Sequence, residues 1–367
     1  MTQEQFGVAT PESRVASAVQ RVAELDDYCD EWTELARECG NVFSTWEWAS
    51  VWWRHRIKRE SLLLFVGRDQ HGRVDLIVPL YLWTTRPFRV ARFLGHGPAD
   101  QLGPVFRTAD RGRAAAALRQ VVADAGVDLL LAELLPGGEG WGAALHSRLL
   151  SRESSPTLSL AGGWEQFLAA RSANFRQQVR GRQRRLERRF TVRFRLAADP
   201  AQLQDDLTLL FSLHHARWGK SGSAFTPWEP FHRDFAAVAL DRGWLRLWFL
   251  ELDDRPVAAW YGFRFGGVES YYQAGRDPGR SDASVGFVLL AHTIREAAVD
   301  GMREYRFLRG AEPFKLRFAD QDPGLETLAL ARGRKGRIAA AAAAAALRSP
   351  VLRTVVRRLG GRHTPAS

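Results

Sequence analysis

Between residues 244 and 275 the chain reads WLRLWFLELD, then RPVAAWYGFRF, then VESYYQAG, separated only by short turns at Asp253-Asp254 and Gly266-Gly267. Apolar and aromatic runs of this length are strands, and turns of these types join strands antiparallel. A three-stranded meander constrains everything around it, because a sheet must be covered by other elements. Upstream, Trp164, Leu168, Phe175, Val179, Leu186 and Phe190 recur at intervals of 4, 7, 4, 7 and 4. That spacing makes one buried stripe and predicts a helix from Trp164 to Arg189. A strand (FTVRFRLA) and helices around 200–217 and 228–242 lead into the meander. After it come a helix from Ser284 to Gly301, a strand (REYRFLRG), a short helix after Pro313 and a final strand (GLETLALARG). The second half is therefore an α/β (α+β) unit with a mainly antiparallel sheet and a helical crossover after its fourth strand.

The first half carries a shorter version of the same idea. A helix is expected from Arg14 to Cys39, then an aromatic helix in NVFSTWEWASVWWRH, capped by Ser44 or Thr45. SLLLFVGRD and VDLIVPLYLW form a hairpin around Gly72, and RFLGHGPADQLGPVF is loop and short strand. A helix (Arg113–Ala125), a buried strand (VDLLLAEL) and the turn PGGEG follow. The expected divisions are 1–155, 156–331 and a basic Ala/Arg-rich tail, 332–367.

The net charge of +11 is localised. The tail after residue 331 holds nine basic residues and no acid, and Arg171–Arg189 holds eight arginines against Glu187 alone, so the remainder is slightly acidic. A distributed nucleic-acid footprint is excluded. The arginine helix reads as a solvated face or anion-binding rim. Trp164, Phe167 and Phe175 fall on or near its apolar stripe and do not stack between its arginines. The tail is either a charged C-terminus or a basic amphipathic segment on an anionic membrane surface. No signal peptide and no apolar run of spanning length is visible, and Cys29 and Cys39 match no metal or redox spacing, so a cytoplasmic chain is expected.

Two stretches can carry chemistry. In QAGRDPGRSDASVGFVLLAHTI a strand runs into a loop with Arg276, Gly279 and Arg280, and a helix opens with Ser284 and Gly286. Helix starts bind phosphate, although this loop lacks P-loop spacing and also fits an ordinary capped helix. In FLRGAEPFK, Gly310 permits a turn, Pro313 opens a helix, and Lys315, one of only four lysines, lies one turn in. Its ammonium either binds an anionic group or an oxyanion, or serves no site. His214 and His215 read as structural, with no ligand spacing for a metal. No nucleophile elbow and no His-Glu-x-x-His is present.

The segments VFSTWEWASVWW, VDLIVPLYLW, RFLGHGPADQLGPVF, NFRQQVRGRQRRL and, above all, ASVGFVLLAHTIREAAVDGMREYRFLRGAEPFKLRF resemble the GNAT-type acyltransferases of the CelD/BcsL group, related to FemAB-like peptidyltransferases. The resemblance covers nearly the whole chain. It implies two tandem GNAT-like domains with the cleft in the second, and transfer of an acyl group from acetyl-CoA or another acyl-CoA to an amine, without a metal. The acceptor implied is a small-molecule or glycan amine, as in a cell-surface polysaccharide precursor. Ser284 and Gly286 would hold the pyrophosphate with Gln273, Arg276, Gly279 and Arg280. The backbone near Tyr271 to Gln273 would meet the oxyanion, with Glu312 as base or substrate contact and Lys315 on anionic groups. Arg176, Arg180, His215 and Trp218 would contact substrate. The chain departs from the family's phosphate pattern at Ser281, and Phe314 stands where the group often has tyrosine. The competing expectations are an aminoacyl-tRNA-dependent transferase, whose arginine helix binds RNA, and a non-catalytic scaffold in polysaccharide synthesis.

Overall fold

The computed structural model describes residues 19–56, 61–85, 87–107, 110–219 and 223–348. In chain order the first part holds β1 (Gln20–Val22), α1 (Cys29–Cys39), α2 (Trp46–Arg54), β2 (Ser61–Arg68), β3 (Val74–Thr85), β4 (Phe88–Phe93), β5 (Val105–Phe106), α3 (Arg111–Asp124), β6 (Leu129–Pro136), α4 (Trp141–Ala144) and β7 (Arg148–Glu153). Then follow β8 (Thr157–Ser159), α5 (Gly163–Ala169), α6 (Ala173–Glu187), β9 (Val192–Leu196), α7 (Leu203–Trp218) and α8 (Glu229–Asp241). The meander is β10 (Leu245–Leu252), β11 (Arg255–Phe265) and β12 (Val268–Arg276). The chain continues through α9 (Val285–Val299), β13 (Glu304–Arg306), α10 (Pro313–Leu316), β14 (Leu325–Ala331) and α11 (Gly333–Arg348).

These strands make two sheets flanked by helices, the mixed α/β architecture expected. One is ordered β1-β2-β3-β4-β6-β14-β7 with β5 beside β3, the other β8-β13-β12-β11-β10-β9. The meander turns are tight because Asp253, Asp254, Gly266 and Gly267 all take positive φ, from 49° to 75°. Each sheet also contains one parallel pair made by a helical crossover, β12-α9-β13 and β4-α3-β6.

Four local expectations change. The helix predicted over Trp164–Arg189 is two helices, because the Ser172 hydroxyl accepts from the Phe175 amide at 3.2 Å and starts α6 afresh. Its stripe survives the break, with Phe167, Leu168, Phe175, Val179 and Leu186 all buried. Within the expected Arg14–Cys39 helix, only Cys29–Cys39 is α-helical among the described residues. Gln20–Val22 pairs with β2 instead. The final strand, expected to close the second unit, lies in the first sheet between β6 and β7. The start of the tail is the packed helix α11, whose Ala339, Ala340 and Ala344 are buried on that same sheet, while Val351 to Leu359 lie outside the described residues.

The two sheets share one apolar core. Trp48 of α2 lies 4.6 Å from Phe235 and 4.8 Å from Phe231, and Phe43 lies 5.6 Å from Tyr272 of β12. At its rim Gly40 and Gly266, both at positive φ, meet so closely that a Cβ on Gly266 would sit 2.9 Å from the Gly40 Cα. Only glycine fits either place.

Candidate functional site

β12 is flanked differently on its two edges. Towards β11 the ladder continues to Arg276, with Tyr272 as one extra residue between the pairs Gly262–Tyr271 and Tyr261–Gln273. Such a bulge bends a strand and re-aims its side chains. Towards β13 the ladder stops at Ser270 and Arg306. Beyond it the chain turns aside, Phe307 N donating to Pro156 O at 2.9 Å and Gly310 N to Ser154 O at 3.0 Å. The two strands therefore part.

A cavity of about 260 Å³ opens beside this parting, lined by β11, β12, the start of α9, Arg182 of α6, Arg217 near the end of α7 and Phe314 of α10. One side of it is cationic, with Arg276, Arg182 and Arg217 beside Ser284 and Gly286, and no carboxylate lines it among the described residues. Ser284 takes φ 52° and its side chain makes no capping bond to α9. The Phe287 and Val288 amides already donate to Ser284 O, at 3.0 and 3.1 Å, so α9 offers a ligand the amides of Val285 and Gly286 and the positive end of its dipole. The rest of the wall is apolar: Trp260, Tyr271, Ala274, Leu289, Leu290 and Phe314. An uncapped helix start and unneutralised arginines above an apolar slot fit a diphosphate joined to an uncharged arm.

Tyr271 stands in that wall. Burial pushes its phenol up to about 12, with Arg217 beside it pulling the other way, so it keeps its proton at neutral pH. On the other face of the strand, Tyr272 donates its hydroxyl to Pro98 O at 2.5 Å and ties the loop after β4 to the site. That loop places Asp100 3.9 Å from Arg309, outside the cavity's lining. Burial pushes the Asp100 carboxyl up to about 6, against the pull of Arg309 and Lys315. Arg309 is itself held by Glu153, at 2.8 and 3.0 Å.

Lys315 is 4% exposed and is not among the cavity's lining residues. Its ammonium donates to Arg309 O, pairs with Glu312 at 3.0 Å and lies 5.7 Å from the Tyr271 ring centroid. Gly310 takes φ 109°, a backbone conformation in which an L side chain is strained.

Of the other residues singled out from sequence, Arg276, Ser284 and Gly286 meet at the cavity. Gly279 donates its amide to Asp277, and Arg280 lies 5.2 Å over the Phe190 ring. Gln273 lies beside His214, whose Nε2 is 3.3 Å from the Ser223 hydroxyl and whose imidazole burial and neighbouring His215 push down to about 4. His215 lies 3.1 Å from the Thr226 hydroxyl. Arg176 closes the end of α5 by donating to Arg171 O, and Arg180 is exposed. Trp218 is 43% exposed under Arg217. Sequence reasoning did not single out Arg182, Arg217, Trp260 or Asp100, although Arg182 lies in the arginine helix read as a solvated face or anion-binding rim and Arg217 follows the histidine pair.

Residues 173–316 match the family model described as an acetyltransferase (GNAT) domain. Among solved structures, the crystal structure of FemX is similar with a TM-score of 0.63 at 9% identity, over 83% of this chain and 96% of that one. The L-PGS of Bacillus licheniformis is similar with a TM-score of 0.57 at 14% identity, over 94% of this chain and 100% of that one. A comparison with curated protein sequences gives no match. At such identities the structural likenesses speak for the fold, and the domain match speaks for acyl transfer by residues 173–316. Residues 173–316 are a GNAT-type acetyltransferase domain, and the protein that carries it is an acyltransferase.

Proposed function

We propose that the protein is an acyl-CoA-dependent N-acyltransferase that moves an acetyl or other acyl group onto an amine of a small molecule or glycan, such as a polysaccharide precursor. The observation that carries this reading is the uncapped start of α9, set beside Arg276 at one side of an otherwise apolar cavity. Ser284, Gly286 and Arg276 hold the donor's diphosphate, with Gly279 and Arg280 in the loop that shapes its entrance. The backbone of β12 from Tyr271 to Gln273, freed from β13, receives the thioester carbonyl and the charge it develops.

The amine nitrogen attacks that carbonyl carbon, the C–S bond breaks, and the amine gives up a proton. Asp100 lies outside the cavity's lining, 3.9 Å from Arg309 where the chain has left β13, and with a carboxyl pushed up to about 6 it is suited to take that proton, and Tyr271 to return one to the leaving thiolate. Lys315 works from behind Tyr271, holding Glu312 and the Arg309 carbonyl in place, so that Glu312 meets the acceptor's polar groups. His215, Trp218, Arg176 and Arg180 belong to the wider rim, where the acceptor or the donor's outer part lies. The protein works in the cytoplasm, with the segment after Arg348 as its contact to an anionic membrane face. No helix among the described residues is long and apolar enough to cross a membrane.

A second reading, an aminoacyl-tRNA donor, is favoured by the exposed Arg180, Arg184 and Arg185 on α6 and Arg188 and Arg189 just after it. Calorimetric titration with acetyl-CoA and with tRNA separates the two. Acetyl-CoA binding that weakens in Arg276→Gln supports the first reading. Binding of tRNA alone, falling steeply with salt, replaces it with the second.

A further inference from the structure

The cationic side of the cavity runs along β12 from the start of α9 towards Tyr271, and Arg217 of α7 stands at its Tyr271 end. Arg276 marks the other end, where a Cβ on Gly286 would lie 3.7 Å from its Cδ. The strand from Tyr271 to Arg276 separates the two ends by roughly 16 Å. Arg276 and the start of α9 account for a diphosphate. The arm that joins a diphosphate to its thioester is uncharged, so the donor leaves Arg217 without a counter-ion.

The protein supplies none either. Among the described residues no carboxylate pairs with Arg217, and Glu312, which also acts on Tyr271, is engaged by Lys315 at 3.0 Å. Instead the Arg217 guanidinium carbon lies 4.4 Å from the Trp218 ring centroid and 5.9 Å from that of Phe314. Contacts of this kind use the faces of the planar group and leave its N–H edge for an acceptor. Trp218 is 43% exposed, so the arginine is held at the cavity's rim, with aromatic surface beside it. Apolar neighbours strengthen any ion pair formed there, because less water screens it.

We propose that Arg217 is a carboxylate clamp for the acceptor: the amine acylated here carries a carboxylate, as an amino acid or an acidic amino sugar does. The inference rests on the acyl-CoA reading and narrows its acceptor from any amine to an anionic one. A single guanidinium matches a carboxylate in charge and in the spacing of two N–H donors. A dianionic phosphate asks for a second cation, and Lys315, the other cation beside Tyr271, is committed to Glu312 and the Arg309 carbonyl. The carboxylate takes no part in bond making. It anchors the acceptor so that the amine, and not the charged end, meets the thioester carbonyl near Tyr271.

The experiment follows thiol release by the whole protein from acetyl-CoA at one fixed concentration, with two matched pairs of amines. The pairs are phenylalanine against phenylalaninamide, and glucosaminic acid against glucosamine. The wild type prefers the carboxylate member by about tenfold or more in kcat/KM. Arg217→Gln brings that ratio close to one, and Arg217→Lys keeps part of it. Both members of a pair share the donor, so damage done by a variant to acetyl-CoA binding cancels in the ratio. Trp218→Ala, a change at an exposed ring, lowers the ratio and serves if Arg217→Gln loses its thermal transition. A wild-type ratio near one, or a preference that survives Arg217→Gln, overturns the clamp and leaves the acyl-CoA reading intact. Failure to acetylate any of the four amines overturns the clamp as well, and calorimetric titration with acetyl-CoA then judges the donor reading by itself.

Discussion

Asp100 concentrates the argument at the scale of single residues. Its carboxyl titrates at about 6 in the folded protein against 3.8 in a free chain, first because it is buried, then despite Arg309 and Lys315. Between those two values the folded state holds a proton that the unfolded state releases, so stability falls as pH rises through that window. Asp100→Asn removes the penalty. It raises the thermal midpoint at pH 7, by about 1 kcal/mol of stability, while abolishing the acid limb of the rate profile near pH 6. A variant that loses activity with an unchanged pH profile makes Asp100 a mere support. The Lys315–Glu312 pair answers to a different rule. Lys315→Met leaves a half-buried carboxylate beside Gly310 without its cation and costs about 1–3 kcal/mol, seen in denaturant melts. Adding Glu312→Gln returns most of that loss, because the two changes share one interaction.

Elements were legible where their signals are local. The turns at Asp253-Asp254 and Gly266-Gly267, the Thr45 cap of α2, whose hydroxyl accepts from Trp48 N, and the opening of α9 all depend on residues within a turn of one another. What could not be read depends on distant partners. LETLALA alternates well enough to fill a slot in either sheet, and nothing inside it names β6 and β7 as its neighbours. Asp100 looks like any loop aspartate until Arg309, far along the chain, is folded against it. The parting of β12 from β13 likewise follows from where Phe307 and Gly310 find acceptors. The start of α9 makes its own prediction. A Cβ at Gly286 would meet only Arg276 Cδ, at an ordinary 3.7 Å. Gly286→Val therefore leaves the melting curve nearly unchanged yet weakens acetyl-CoA binding about tenfold, since its methyl groups enter the cradle. A variant that melts early with binding intact reverses the assignment.

At the scale of the whole molecule the two sheets are one cooperative body. Trp48, Phe43, Phe231, Phe235 and Tyr272 come from both halves and pack into a single cluster, and Arg306 donates to the carbonyls of Cys39 and Gly40 across the junction. A chain ended after Gly324 keeps every residue of the 173–316 match, yet it lacks the strand between β6 and β7. It loses its sharp thermal transition and binds acetyl-CoA weakly. If the shortened chain melts as cooperatively as the full one, the second sheet stands alone.

The return of β14 also sets an order of events on the ribosome. As the nascent chain lengthens, β6 and β7 emerge with a gap one strand wide between them, and that gap persists while the whole catalytic portion is translated. Its last occupant follows only after residues 173–316 have been made. Until then both halves remain provisional, so premature termination yields a target for proteolysis in place of a partly working enzyme.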